Sequence, residues 1–244
     1  MPSRIPPHDP SNTGAGDPPP QLPADVAAIR AAISAVFDTL GPDGNKVGNS
    51  KHGVYAFYDY DGEPIYVGQT CESLRQRIGR HLTNQRTDAV AMNVLDPFEV
   101  AEIEMWPLDA DMRDLHHSER SHYLNCAEYT VFQRVLRASA VGAVLNEKEI
   151  QPCPEIILPA SVRRRIIPDA VYEQRRHPDI RIARRAATIA NLARVISERD
   201  VSAGLRHTLL TQAQRLERLT AQRLAQLGLT PRATPPEDSN PPTL

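Results

Sequence analysis

Cysteine is scarce in this 244-residue chain, and no apolar run approaches the ~18 residues that a membrane-crossing helix needs. Cys71, Cys126 and Cys153 are an odd number with no CxxC pair and no matched histidine spacing, which argues against a disulfide framework and against structural zinc. The N-terminus is polar and proline-rich and lacks the apolar stretch of a secretory leader. No internal repeat is present. These absences predict a soluble, cytoplasmic protein with no membrane partner.

The length suits one ordinary domain plus an appendage. Residues 1–24 hold eight prolines and few large apolar residues, and residues 231–244 hold five more, so both ends are expected to be disordered and to lie outside the fold. The net charge of −2 conceals an asymmetry. Residues 1–160 carry 13 Lys+Arg against 22 Asp+Glu, whereas residues 161–232 carry 15 against 6. A basic C-terminal third behind an acidic first part fits either a surface that meets a polyanion or a helical hairpin with a solvated arginine face.

The most structured stretch runs from Gly53 to His81, GVYAFYDYDGEPIYVGQTCESLRQRIGRH. Two short apolar-aromatic runs, Val54 to Tyr58 and Ile65 to Val67, flank an Asp61-Gly62 turn signal and predict a β-hairpin. A helix should follow, with Ser73 as its N-cap and Leu74, Ile78 and Leu82 as its buried stripe. Arg77 and His81, four apart, share a face of that helix and can point toward the strands of Tyr55 and Tyr66.

These residues resemble the GIY-YIG nuclease superfamily, in particular its restriction-enzyme and homing-enzyme branches. Gly53-Val54-Tyr55 stands for the first half of the name motif and Tyr66-Val67-Gly68 for the second, with Gln69-Thr70 following. Arg77 matches the family's essential arginine, and His81 follows it by four residues. The resemblance implies an α+β fold, a small three-stranded antiparallel sheet flanked by helices, with a metal-binding glutamate on a helix after the third strand and an asparagine downstream. Glu128 and Asn146 match those two places.

The remaining chain can be fitted around this core. Residues 24–40 are alanine-rich, with Val26, Ile29, Ile33 and Phe37 at helical spacing, and 41–49 form a glycine and asparagine loop. The run FEVAEIEMWPL from Phe98 alternates only roughly, which predicts a third strand with one register break. A long helix from about His117 to Ala138 places Glu128 in line with Leu124, Val131 and Val135; a carboxylate there needs a cation, a metal or hydrogen bonds, or it takes up a proton. Beyond Pro152 a basic α-helical extension over 161–228 is expected. One of its helices opens at Pro178 with a stripe of Ile182, Ala186, Ile189, Ala193 and Ile196, and another spans Val201 to Leu227 with Gln212 interrupting its leucines. Arg181, Arg184 and Arg185 lie off that stripe and could meet DNA phosphates. The domains expected are thus a catalytic unit over 25–150 with its core at 53–146, and the extension over 161–228.

Phosphodiester hydrolysis needs an activated water, stabilisation of developing charge, a proton for the leaving oxygen and in-line positioning. Glu128 would hold one divalent metal ion, Mg²⁺ with Mn²⁺ as the substitute, because a hard cation on one carboxylate takes its other oxygens from water and phosphate. Arg77 would grip non-bridging oxygens with its planar fork. Tyr55, with a reference pKa of about 10, would serve as base or water-positioning group only beside a cation. His81 could share the proton traffic or cap its helix, and Tyr66 would orient the scissile phosphate. Gly53 and Gly68 would permit close backbone approach or a turn, and Asn146 is either a turn residue or a brace. Glu128 could instead be a structural ion-pair partner of Arg77. The reading is a metal-dependent endonuclease of double-stranded DNA, of restriction or mobile-element type, working as a homodimer where both strands are cut. Its alternative is a catalytically inactive DNA-binding or assembly protein that keeps the fold.

Overall fold

The computed structural model describes residues 24–82 and 95–230. The tail at 231–244, the N-terminal segment up to residue 23 and the connector at 83–94 lie outside the described residues. Helix α1 (Ala24–Phe37) leads through a loop into strand β1 (Gly53–Tyr58), which turns into β2 (Pro64–Thr70) and then helix α2 (Leu74–Leu82). Strand β3 (Glu102–Pro107), helix α3 (His117–Ala138), strand β4 (Val162–Arg165) and helices α4 (Asp169–Arg176), α5 (Pro178–Glu198) and α6 (Ala203–Gln226) complete the order. No helix among the described residues is long and apolar enough to cross a membrane.

The hairpin and its helix form where the sequence pattern places them. Ser73 Oγ accepts from Gln76 N at 3.2 Å as the N-cap of α2, and Leu74 and Ile78 are fully buried. The sheet differs from the expectation. It has four antiparallel strands in the order β2-β1-β3-β4, not three. The added strand is edge strand β4, which pairs Glu102 with Arg165 and Glu104 with Arg163. Only Val162 of its four residues is buried, so it shows no alternation to read. Its polar side chains are matched instead to the glutamates of β3. Arg163 Nε donates to Glu102 Oε2 at 2.6 Å and its guanidinium lies 3.7 Å from the Tyr58 ring centre, while Glu104 accepts from Tyr58 and Ser161.

The irregularity expected in β3 also moves. β3 pairs with β1 without a break, and the register shift falls between Phe57 and Tyr58, against β2. Residues Pro97–Glu99, expected to open the strand, form a single 3-10 turn, because Asp96 caps Phe98 N and Pro97 sits at its start.

Every residue of β1 is buried, because helices cover both faces of the sheet. On one face Val54, Ala56, Val67 and Trp106 pack against Leu124, Ala127, Val131 and Val135 of α3. On the other, Tyr55, Phe57, Ile65 and Ile103 meet Leu74 and Ile78 of α2 together with Leu192, Val195 and Leu205 of the C-terminal hairpin. The C-terminal helices thus share a core with the sheet. Cys126 and Cys153, expected to be unpaired, are joined by a disulfide with a Cα–Cα distance of 5.0 Å. Their 27-residue separation forms no local motif; packing of the chain after α3 back along that helix brings them together.

The largest departure concerns the arginines expected to bind DNA. The buried face of α5 is Arg181, Arg185, Leu192 and Val195, one residue back from the expected stripe, and Ala186 and Ala193 are exposed. Asp59, 2% exposed at the end of the hairpin, receives Arg181 Nη2 at 3.2 Å, Arg185 Nη2 at 2.8 Å and Arg215 Nη2 at 2.8 Å, all on Oδ2. Its other oxygen accepts Asp61 N and Glu63 N, closing the turn. Glu99 takes Arg185 Nε at 2.9 Å, and Arg215 Nη1 reaches Pro64 O at 2.8 Å. Arg181 and Arg185 are therefore buried counter-ions, not phosphate contacts. Arg184 is one-third exposed, 3.7 Å from Asp96 and stacked on Phe98.

Removing the shared carboxylate leaves three guanidiniums short of their counter-charge. Asp59→Asn is expected to cost about 3–5 kcal/mol in chemical denaturation, the scale for breaking a buried pair. Arg223→Ala, whose partner Asp179 is 57% exposed, should cost far less. Equal losses would refute the dominant role of the buried cluster.

Candidate active site

A pocket of about 410 Å³ opens at the free edge of β2, between α2 and α3. Tyr66, Gly68, Arg77, Asn125, Glu128 and Asn146 are among the side chains and backbone that line it. Strand β2, helices α2 and α3 and the segment at 145–151 thus bring five of the eleven expected residues together. Arg77 comes from the middle of α2, and its Nε is buried with no hydrogen-bond partner among the described residues. Glu128 comes from α3. Burial pushes its carboxyl up to about 7, with Arg77 pulling the other way through space and no hydrogen bond between them. The structural ion-pair reading of Glu128 is therefore not what the geometry supplies.

Tyr55 and His81 stand behind this pocket. Tyr55 is fully buried and its hydroxyl lies 3.0 Å from His81 Nε2, at the last turn of α2. His81 is also 5% exposed and meets the rings of Tyr55, Phe57 and Tyr66. Gly68 connects the two layers. A Cβ at that position would lie 2.6 Å from Tyr55 Oη and 2.9 Å from Tyr66 Cε1, so the tyrosines can approach each other and the pocket only past a glycine. Gly53 likewise serves close approach, against Trp106 O at 2.9 Å and the Leu74 methyls, and neither glycine has positive φ.

Asn146 is a brace. Its carboxamide donates to Val67 O at 2.8 Å and accepts from Val67 N at 3.1 Å, imitating a neighbouring strand on the edge of β2, and Leu145 N adds a bond to Ile65 O at 2.7 Å. Residues 145–151 are thereby fixed as one wall of the pocket. Lys148 on that wall and the Gln69–Asn125 pair, joined at 2.9 Å, are site residues that the sequence reading missed. Asn125 sits three residues before Glu128 on α3 and shares its face, a signal open to inspection; nothing local marks Lys148. Arg181, Arg184 and Arg185 do not line the pocket.

The donor set fits one hard divalent ion. Burial raises the Glu128 carboxyl, a shift that a bound cation would offset, and Gln69 Oε1, on the same pocket, is a buried oxygen with no partner among the described residues.

Residues 51–119 match the family model of the GIY-YIG catalytic domain, which supports membership of the GIY-YIG nuclease superfamily. Tyr55, Tyr66, Arg77 and His81 lie within the match; Glu128 and Asn146 lie beyond it. No curated protein and no solved structure matches the chain.

The raised Glu128 pKa has a thermodynamic consequence. With the folded value above the unfolded one, the native state holds the extra proton between about 4.5 and 7, so stability falls as pH rises through that interval. In chelator, Glu128→Gln should therefore be more stable than wild type at pH 8, by roughly 1–3 kcal/mol, and no more stable at pH 4. Thermal or chemical unfolding at the two pH values checks this.

Proposed function

We propose, proceeding from membership of the GIY-YIG nuclease superfamily, that this chain is a metal-dependent endonuclease that hydrolyses phosphodiester bonds of double-stranded DNA. The observation that carries the reading is the convergence of Arg77 and Glu128, from two different helices, on one pocket with Tyr66, each with unspent capacity: a buried donor nitrogen and a half-buried carboxylate, neither with a hydrogen-bonded partner among the described residues.

Glu128 would hold the ion, Mg²⁺ or Mn²⁺, with Gln69 Oε1 as the neighbouring oxygen. When bound, the ion neutralises charge that develops on the phosphate. The Arg77 guanidinium then takes the non-bridging oxygens, satisfying its orphaned Nε, and excludes other orientations of the phosphate. Tyr66 lines the pocket and orients the scissile group. Tyr55 and His81, 3.0 Å apart and closed off behind the pocket, would be the pair that receives the proton given up by the attacking water. The water oxygen bonds to phosphorus, the opposite P–O bond breaks, and the leaving oxygen takes a proton from a pocket water, whose hydroxide takes back the proton held by the Tyr55–His81 pair. Asn146 positions the wall and takes no part in the chemistry.

Arg77 within and Lys148 on the rim are the cations that would meet a phosphate, set among Glu128, Glu147 and Glu149. One pocket cuts one strand, so a double-strand break requires a homodimer. The biological setting proposed is restriction or a mobile element, and a restriction role predicts that methylation of its site protects the DNA.

Supercoiled plasmid, methylated and unmethylated, should be nicked or linearised with Mg²⁺ and left intact with EDTA. Arg77→Ala and Glu128→Ala should each lose more than about a hundredfold in rate, the scale for a positioned electrostatic group. Cutting that survives EDTA or either substitution would remove the mechanism. A protein that binds duplex but never cuts would instead be a DNA-binding module.

A further inference from the structure

Helix α3 carries a second group of donor atoms. His122 and Cys126 are one helical turn apart, and Cys153 comes from the segment held along the helix by Ile156 N to Thr130 Oγ1 at 3.0 Å and Arg137 to Glu155 at 2.8 Å. His122 Nε2 lies 3.6 Å from Cys126 Sγ. One donor atom from each of His122, Cys126 and Cys153 falls within 4.8 Å of the others. Cys126 is buried, Cys153 half-buried and His122 exposed, beside an open recess of about 500 Å³ lined in part by Ser118, Glu119 and Tyr123. Glu128 is two residues beyond Cys126, ~200° around the helix, and the recess and the pocket share no lining residue.

Two thiolates and an imidazole are a set that zinc takes and that hard, oxygen-seeking cations do not. In tetrahedral zinc, bonds of about 2.3 Å to sulfur and 2.1 Å to nitrogen hold the ligand atoms about 3.4–3.8 Å apart. That spacing fits inside the 4.8 Å envelope, so side-chain rotation suffices to open the sulfurs around an ion. We infer that reduction of the Cys126–Cys153 disulfide converts this group into a Cys₂His zinc site, with its fourth position facing the recess. A dithiol reductant supplies two electrons and two protons to the S–S bond, giving two thiols and its own disulfide. Zinc then displaces both thiol protons, and the two sulfurs and His122 Nε2 become its ligands. Disulfide and metal are two forms of one clamp, each holding the segment around Cys153 against α3. The clamp therefore persists in an oxidising or a reducing setting.

The test uses the full chain, reduced with a dithiol, desalted without oxygen and titrated with Co²⁺ as the spectroscopic probe. The expected result is a thiolate-to-metal charge-transfer band that saturates at one cobalt per chain, with tetrahedral d–d bands, both abolished by Zn²⁺. Cys153→Ser and His122→Ala should each weaken binding by more than the roughly 10- to 100-fold that loss of an outer-shell partner costs. Cys71→Ser should leave the spectrum unchanged. His122 is exposed, so its variant keeps the test valid even where Cys153→Ser misfolds. Absence of the charge-transfer band in reduced protein with freely reactive thiols would overturn the site. So would wild-type affinity in His122→Ala.

Discussion

One carboxylate oxygen, Asp59 Oδ2, gathers guanidiniums from two helices into the interior, and the arrangement of the chain depends on it. Each buried ion carries a desolvation cost of several kcal/mol, which is offset only where partners and hydrogen bonds are complete. Asp59 meets that condition from both sides. Its Oδ1 closes the β1–β2 turn through Asp61 N and Glu63 N while Oδ2 receives Arg181, Arg185 and Arg215. The hairpin that carries both tyrosine motifs is thus tied at its tip to the C-terminal helices. An apolar contact would tolerate sliding of α5 and α6, whereas a cluster with fixed donor directions selects one docking.

The charge asymmetry of the sequence takes on a different meaning in this light. An acidic first part and a basic C-terminal third are also what two surfaces need in order to fold onto each other. Arg163 meets Glu102, Arg165 meets Asp169, Arg184 meets Asp96, and the cluster absorbs Arg181, Arg185 and Arg215. Most of these pairs join the basic third to the acidic part. The charge is largely spent within the molecule, so the excess of arginine by itself is not a polyanion-binding surface.

Legibility in the sequence followed how local the physics is. The β1–β2 hairpin, the Ser73 cap, the α2 stripe and the span of α3 rest on neighbouring residues and could be read directly. The meeting of Tyr66, Arg77 and Glu128 at one pocket was expected from the family resemblance, with the in-line carboxylate as the local signal for Glu128. What escaped depends on partners far along the chain. β4 has no alternation because its arginines answer the glutamates of β3, and the buried face of α5 was misplaced by one residue because hydropathy assigns arginine outward. Lys148 and the Cys126–Cys153 pair belong to the same class, placed by packing and not by pattern.

The C-terminal hairpin reaches the pocket by contact with its wall. A Cβ on Gly204, in the first turn of α6, would fall 1.9 Å from Glu147 O, so helix and wall touch backbone to backbone at that point. The same wall is pinned to the edge of β2 by Leu145 and Asn146 and presents Lys148 to the pocket. α6 is in turn fixed by Arg215, whose Nη1 holds Pro64 O at the start of β2. β2, the wall and α6 therefore form a closed circuit of contacts, with Asp59 at one end and the pocket at the other. Residues distant from Glu128 and Arg77 set the shape of the space between them, which makes the helical extension part of the site's construction and gives its arginines a use that requires no contact with substrate.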